Sequence, residues 1–169
     1  MSKRPTVWML VGVPGSGKST FVDSQIDNEA DRDESLHIAS TDNYIEYIAK
    51  SGWKTYNDVF KDHIKDAEKR MYEGVIDAVK ADINIIWDQT NLTRKSRAKK
   101  MIMIPDHYEK IAIVFPTPDE EELKRRLASR PGKTIPPHIV KVMAESMEYP
   151  EKDEGFTTIM DFEDYMLYV

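Results

Sequence analysis

The sequence predicts an α/β fold: a three-layer sandwich with a mostly parallel central sheet and helices on both faces. Two observations carry this. Short apolar runs alternate with helical patterns, the arrangement that covers a parallel sheet on both sides. The segment Gly12-Val13-Pro14-Gly15-Ser16-Gly17-Lys18-Ser19 also fits the phosphate-loop pattern G-x-x-x-x-G-K-[ST]. It lies between an apolar block at 7–11 and Thr20-Phe21-Val22, which can open a helix, so the motif has the strand–loop–helix context it requires.

The elements follow in order. Apolar blocks predict strands at Thr6–Val11, 36–40, Asn84–Trp87 and 111–115, a weaker one at 157–160 and an edge strand at 165–169. Helices are expected at 19–28, 43–50, 56–81, 94–104, 119–129 and 137–147. In the longest, Phe60, Ile64, Ala67, Met71, Val75 and Val79 recur at spacings of three and four and predict one apolar face, with Gly74 the only interruption. The run Asp119–Glu122 followed by Lys124-Arg125-Arg126 places acids at a helix N-terminus and bases towards its end, as the helix dipole favours.

A length of 169 residues predicts one domain, residues 1–169, with a proper core. The absence of cysteine excludes disulfides and Cys-based zinc sites. His37, His63, His107 and His138 lack metal-ligand spacing, and the nine methionines read as core filler. No apolar stretch approaches a membrane span, and the basic start runs directly into the first strand, so a cytoplasmic protein is expected. The net charge of −6 argues against a broad nucleic-acid surface. Its distribution is uneven: residues 94–133 hold eleven Lys/Arg against six Asp/Glu, while residues 145–169 hold eight acids and one lysine. A localised anion site on an acidic body fits that asymmetry, as does a solvated charged face.

In a P-loop, glycines at 12, 15 and 17 allow positive φ and close backbone approach, so successive N–H groups form a nest for phosphate oxygens. The following helix N-terminus adds positive potential. Lys18 can reach the β- and γ-phosphates, and the Ser19 hydroxyl can ligate Mg²⁺. The ATP-binding set is therefore Gly12, Pro14, Gly15, Ser16, Gly17, Lys18, Ser19 and Thr20.

Three further groups can carry chemistry. Asp42 follows the second strand, and ligands of open α/β sheets lie beyond the carboxyl ends of strands, so it can accept an acceptor's proton. Either Thr41 or Asp42 can instead simply cap the next helix. Asp88-Gln89-Thr90-Asn91 follows the third predicted strand. Asp88 can hold Mg²⁺ or its water, and Gln89 and Asn91 can bind nucleotide or acceptor, or the whole segment can be a turn and cap. Among the bases, Arg94, Lys95, Arg97, Lys99 and Lys100 read mostly as solvated surface. Arg126 and Arg130, with Arg125 and Lys133, flank Pro131-Gly132 and suit a lid at about 125–136 that stabilises a transferring phosphoryl group.

These residues, Gly12–Thr20, Thr41-Asp42-Asn43-Tyr44, Asp88-Gln89-Thr90-Asn91 and Arg126…Arg130…Pro136 in that order, resemble the kinase domain of bacteriophage 5′-hydroxyl polynucleotide kinases, without the phosphatase domain. The resemblance implies ATP- and Mg²⁺-dependent transfer of the γ-phosphate to a polynucleotide 5′-hydroxyl in a host cytoplasm. It implies Asp42 as general base, Lys18 and Ser19 as P-loop lysine and magnesium-linked hydroxyl, and Arg126 and Arg130 as lid arginines that clasp the ATP phosphates and so join the ATP-binding set. Gln89 stands where the phage enzymes have aspartate, with Asp88 one residue earlier. Ile45 replaces an arginine that contacts the acceptor's phosphate. The Asp-Gln-Thr-Asn element followed by a basic helix also resembles the P-loop domains of heterogeneous nuclear ribonucleoprotein U-type proteins. Two alternatives therefore accompany the leading expectation: a kinase for a nucleoside, other small alcohol or modified base in DNA, and a non-catalytic nucleotide-binding module.

Overall fold

Five strands form one sheet in the order β2-β3-β1-β4-β5, every neighbouring pair parallel. The computed structural model describes residues 4–31 and 35–168. Residues 1–3 of the basic start and Val169 of the expected edge strand lie outside the described residues. The strands are β1 Thr6–Val11, β2 Leu36–Ala39, β3 Asn84–Trp87, β4 Glu109–Val114 and β5 Thr158–Asp161. The helices are α1 Lys18–Asp31, α2 Thr41–Ser51, α3 Tyr56–Lys80, α4 Arg94–Met101, α5 Glu120–Ala128, α6 Pro137–Glu145 and the short α7 Phe162–Tyr165, with a 3₁₀ turn at Lys152–Glu154. The expected P-loop NTPase sandwich is what forms, because each central strand is apolar on both faces and must be covered twice.

The two core layers follow strand alternation. Val7, Met9, Ile85 and Trp87 pack with Met71, Val75 and Ala78 of α3 and Met101 of α4. Leu10, Ile86 and Ile113 pack on the other face with Phe21 and Val22 of α1. Smaller clusters join α5 and α6 to Val13 of the P-loop, and α2 to α3. Gly74 of α3 lies against β2: a Cβ there would stand 2.8 Å from His37 Cε1, so the interruption in the helical pattern makes room for that ring. No helix among the described residues is long and apolar enough to cross a membrane.

Several expected elements differ. Tyr165 closes the helical turn Phe162–Tyr165 and does not start the edge strand expected at 165–169, because spacing of three brings Phe162 and Tyr165 onto Phe21, with ring centroids 6.5 and 5.1 Å away. β5 begins at Thr158, one residue later than expected. α4 ends at Met101, as a proline at 105 disfavours helix in the residue before it. α1 runs three residues past 28. On α3, Val59, Ala67, Met71, Val75 and Ala78 form the buried stripe, whereas Phe60 is 40% exposed.

Candidate active site

The P-loop joins β1 to α1 at the carboxyl edge of the sheet. Gly15 and Gly17 adopt φ of 83° and 103°, conformations that L side chains resist. Gly12 does not need positive φ; it serves close approach, since a Cβ there would lie 2.6 Å from Ser16 Oγ and 2.9 Å from Phe115 Cβ. Its N–H donates to Thr90 O at 3.0 Å, tying the loop to the turn after β3. Lys18 Nζ folds back onto the carbonyls of Gly12 and Val13 at 2.9 and 2.8 Å. Ser16 Oγ is buried with no protein partner, while Ser19 and Thr20 open to solvent at the start of α1. This cradle fits a polyphosphate: an inward nest, a lysine whose ammonium meets only neutral carbonyls and an orphaned hydroxyl.

Asp42 sits in the first turn of α2. The cap of that helix is Ser40, whose side chain accepts from Asn43 N at 3.4 Å, so neither Thr41 nor Asp42 caps it. The carboxylate is spent elsewhere. Tyr56 at the start of α3 donates to Oδ1 at 2.6 Å, and Lys133 pairs with Oδ2 while lying 4.3 Å over the Tyr56 ring. Burial opposes the charge, but Lys133, by charge and hydrogen bond, holds the Asp42 carboxyl below its ordinary range. Tyr56 was not among the sequence candidates. Its phenol is pushed well up by burial and by Asp42, so it stays a donor.

Asp88 follows β3 directly, next to β2, its N–H on Ala39 O at 2.9 Å. Burial pushes its carboxyl up, opposed by Lys18 and reinforced by Asp42. The two carboxyls are thus driven apart, Asp42 down and Asp88 up, as acid–base sites arrange. Gln89 bridges Trp87 Nε1 (3.2 Å) and Thr41 Oγ1 (3.4 Å) at the edge of the same space. Asn91, expected to bind nucleotide or acceptor, does not line the cavity. It is buried at φ 47° and donates to the carbonyls of Leu10, Trp87 and Gln89, while Lys100 donates to its Oδ1. Its role is to hold the turn against β1.

The expected lid at 125–136 splits in two. Through Ala128 it is α5, and the residues from 129 to 136 form the loop. Arg126 donates to Gly15 O at 3.1 Å and to Glu122 at 2.6 Å, lying on the P-loop backbone. Arg125 pairs with Glu122 on the surface, whereas Arg130 and Lys133 reach the crevice. Asn57 at the start of α3 holds the loop through Gly132 O (3.2 Å) and Thr134 O (3.4 Å).

Lys18, Asp42, Asp88, Arg130 and Lys133 line one cavity of about 760 Å³, continued by Phe60, Ile64, Ile135, Ile139 and Met143. A second hollow of about 670 Å³ shares Asp42, Asp88, Arg130 and Lys133. Ile45 faces neither; it is fully buried between α2 and α3, so position 45 points away from the crevice. The expected solvated helix α4 is partly internal: Arg97 is fully buried on Glu154, and Arg94 pairs with Glu151 and Asp153.

A family model described as an AAA domain matches residues 7–150. The chain belongs to this AAA domain family. The AAA domain is also similar to a chain of the Pnkp1/Rnl/Hen1 RNA repair complex (24% identity, TM-score 0.66, 88% of this chain covered). It spans under half of that chain, 46%. A Chloroflexus aurantiacus j-10-fl protein aligns over 96% of this chain and 91% of its own at 16% identity and TM-score 0.65. A gluconokinase from Sinorhizobium meliloti 1021 aligns over 95% and 84% at 17% identity and TM-score 0.52. At these identities the likenesses establish the fold.

The electrostatics of the AAA domain's P-loop predict a pH effect. Burial lowers Lys18 to about 8, with Asp88 pulling it back up. Phosphate bound beside it favours the ammonium, so above pH 8 binding must take up a proton. ATP affinity is expected to hold below pH 8 and to fall by up to about tenfold per pH unit above it. Calorimetric titration of ATP between pH 7 and 9.5 checks this; a constant Kd would refute it.

Proposed function

We propose that this AAA domain is an ATP-dependent phosphotransferase that moves the γ-phosphate to an alcohol. The observation that carries the reading is the convergence on one cavity of the P-loop lysine, an ionised carboxylate after β2 and a second carboxyl after β3. Lys18, the loop amides, Arg126 and Arg130 hold the triphosphate. Ser19 and Asp88 would hold Mg²⁺ together with phosphate oxygens, and no cluster of three acidic or histidine ligands exists among the described residues to hold it alone. The metal, when bound, neutralises charge on the β- and γ-oxygens.

Both Asp42 oxygens already accept hydrogen bonds, and the charge of Lys133 beside Oδ2 opposes its protonation, so that oxygen becomes the stronger base once Lys133 moves away. The phosphoryl group offers Lys133 a stronger anion, and Tyr56 keeps Oδ1 oriented. The acceptor's O–H proton then passes to Asp42, its oxygen bonds to the γ-phosphorus, the bond to the β-phosphate bridging oxygen breaks, and ADP leaves.

A polynucleotide 5′-hydroxyl is supported as acceptor by the motif order and by likeness to a chain of an RNA repair complex. A small alcohol is supported by likeness to a gluconokinase. A non-catalytic module, which would need a surface for a partner, is less well supported, because Arg94 and Arg97 of the basic helix pair with Glu151, Asp153 and Glu154 of the acidic tail. The test is γ-labelled ATP with 5′-OH DNA, 5′-OH RNA, nucleosides and buffer alone. Label on any hydroxyl compound is the expected result. No transfer despite tight ATP binding would overturn it.

A further inference from the structure

The charged groups of the cavity form one knot: Asp42, Asp88, Arg130 and Lys133 all act electrostatically on Lys18. The rest of its lining is uncharged. Phe60 of α3 and Ile139 of α6 are 40% and 45% exposed, large apolar surface left open to the cavity, with Ile64, Ile135 and Met143 behind them. Asp42 is linked to this wall through Tyr56, which donates to Asp42 and whose ring lies 5.6 Å from that of Phe60, and both Asp42 and Phe60 line the cavity. A hydroxyl placed on Asp42 therefore leaves the body that carries it in the same cavity as Phe60.

We infer that the acceptor is gripped through an uncharged, planar or apolar body lying on Phe60 and Ile139, with its hydroxyl on Asp42, and that the site makes no use of a phosphate on the acceptor. This rests on the phosphotransfer reading and adds the substrate class. Among the described residues, no cation lines the cavity beyond the knot that serves the triphosphate. The adjacent hollow adds Lys50 and Lys54, but Asp23 and Glu46 offset them. A rigid aromatic face also offers contact area at little entropic cost.

The experiment compares thymidine, adenosine and benzyl alcohol with thymidine 3′-monophosphate and a 5′-OH decathymidylate. Label transfer is measured from 50 to 300 mM salt, and binding by calorimetry with a non-hydrolysable ATP analogue and Mg²⁺ present. Uncharged acceptors are expected to match or exceed the phosphate-bearing ones, with KM flat in salt. Phe60→Ala should raise the acceptor KM about tenfold and leave the ATP KM in place. Phe60→Tyr should restore it. Phe60 is partly exposed, so its truncation spares the core.

Three results overturn the inference: a phosphate-dependent gain of about tenfold or more that salt removes, a Phe60→Ala effect on ATP instead, which would make the wall an adenine site, or no uncharged probe binding or being labelled. Binding that depends on Phe60 without label transfer to any probe would uphold the pocket and refute the phosphotransfer reading, so the two fail separately.

Discussion

Asp42→Asn is expected to lower turnover about 100- to 10,000-fold while ATP still binds with near-normal affinity. That loss corresponds to roughly 3–5 kcal/mol of transition-state stabilisation. The amide matches the carboxylate in size, so α2, capped by Ser40, and the P-loop beside it need not move. What is lost is the proton acceptor. Single-turnover rates and ATP titrations separate the two effects, and near-normal turnover on a true acceptor would show that Asp42 is not the base. Lys133→Ala sharpens the test. Lys133 is the chief attraction holding the Asp42 carboxyl low against its burial. A depressed carboxyl stays ionised to lower pH. Removing the lysine must therefore move the acid limb of the rate profile to higher pH, in addition to any loss of phosphate contact.

The residues that sequence places correctly share one property: their position follows from local pattern. Val7–Val11, Gly12–Ser19 and Asn84–Trp87 are contiguous segments whose apolar runs and glycines have few conformational solutions. Asp42 and Asp88 were locatable because strand ends in a parallel sheet face one edge. Tyr56 and Lys133 were not so found as partners of Asp42, since they lie 14 and 91 residues from it and meet it only through the packing of α2 on α3 and the path of the loop. Phe60 carried a misleading signal. Helical spacing put it on the apolar face, yet at that end of α3 the buried residue is Val59, packed against α2, and Phe60 is left lining the cavity. Asn91 failed for another reason: a polar residue after a strand looks the same in sequence as a ligand or as a turn buttress, and only its φ of 47° and its burial decide.

Arg97 shows the same limit with a larger energetic consequence. In a run of five bases over seven residues it reads as solvated, yet its side chain is 0% exposed and that of Glu154 is 4% exposed. Nε and Nη2 meet the carboxylate at 2.8 and 3.0 Å, and Nη1 donates to the carbonyls of Asn91 and Leu92 at 3.0 and 3.1 Å. Arg97→Met leaves a buried carboxylate without its cation and should cost about 3–5 kcal/mol. For a chain of this size that is a fall in melting temperature of about 10 °C. Burial opposes the Glu154 charge, but Arg97 and the Glu151 N–H hold its carboxyl low. The stability from this group is accordingly present above the ordinary glutamate range and lost as pH falls through the depressed value. Arg97→Met should flatten that acid dependence, and adding Glu154→Gln should recover much of the lost stability, because it removes the stranded charge. A melting temperature within 2 °C of the parent for the single variant would refute the assignment. The effect should also reach the nucleotide. Arg97 grips the turn at Asn91, and Thr90 O in that turn holds Gly12 N of the P-loop, so the folded fraction of the variant is expected to bind ATP more weakly although residue 97 does not line the cavity.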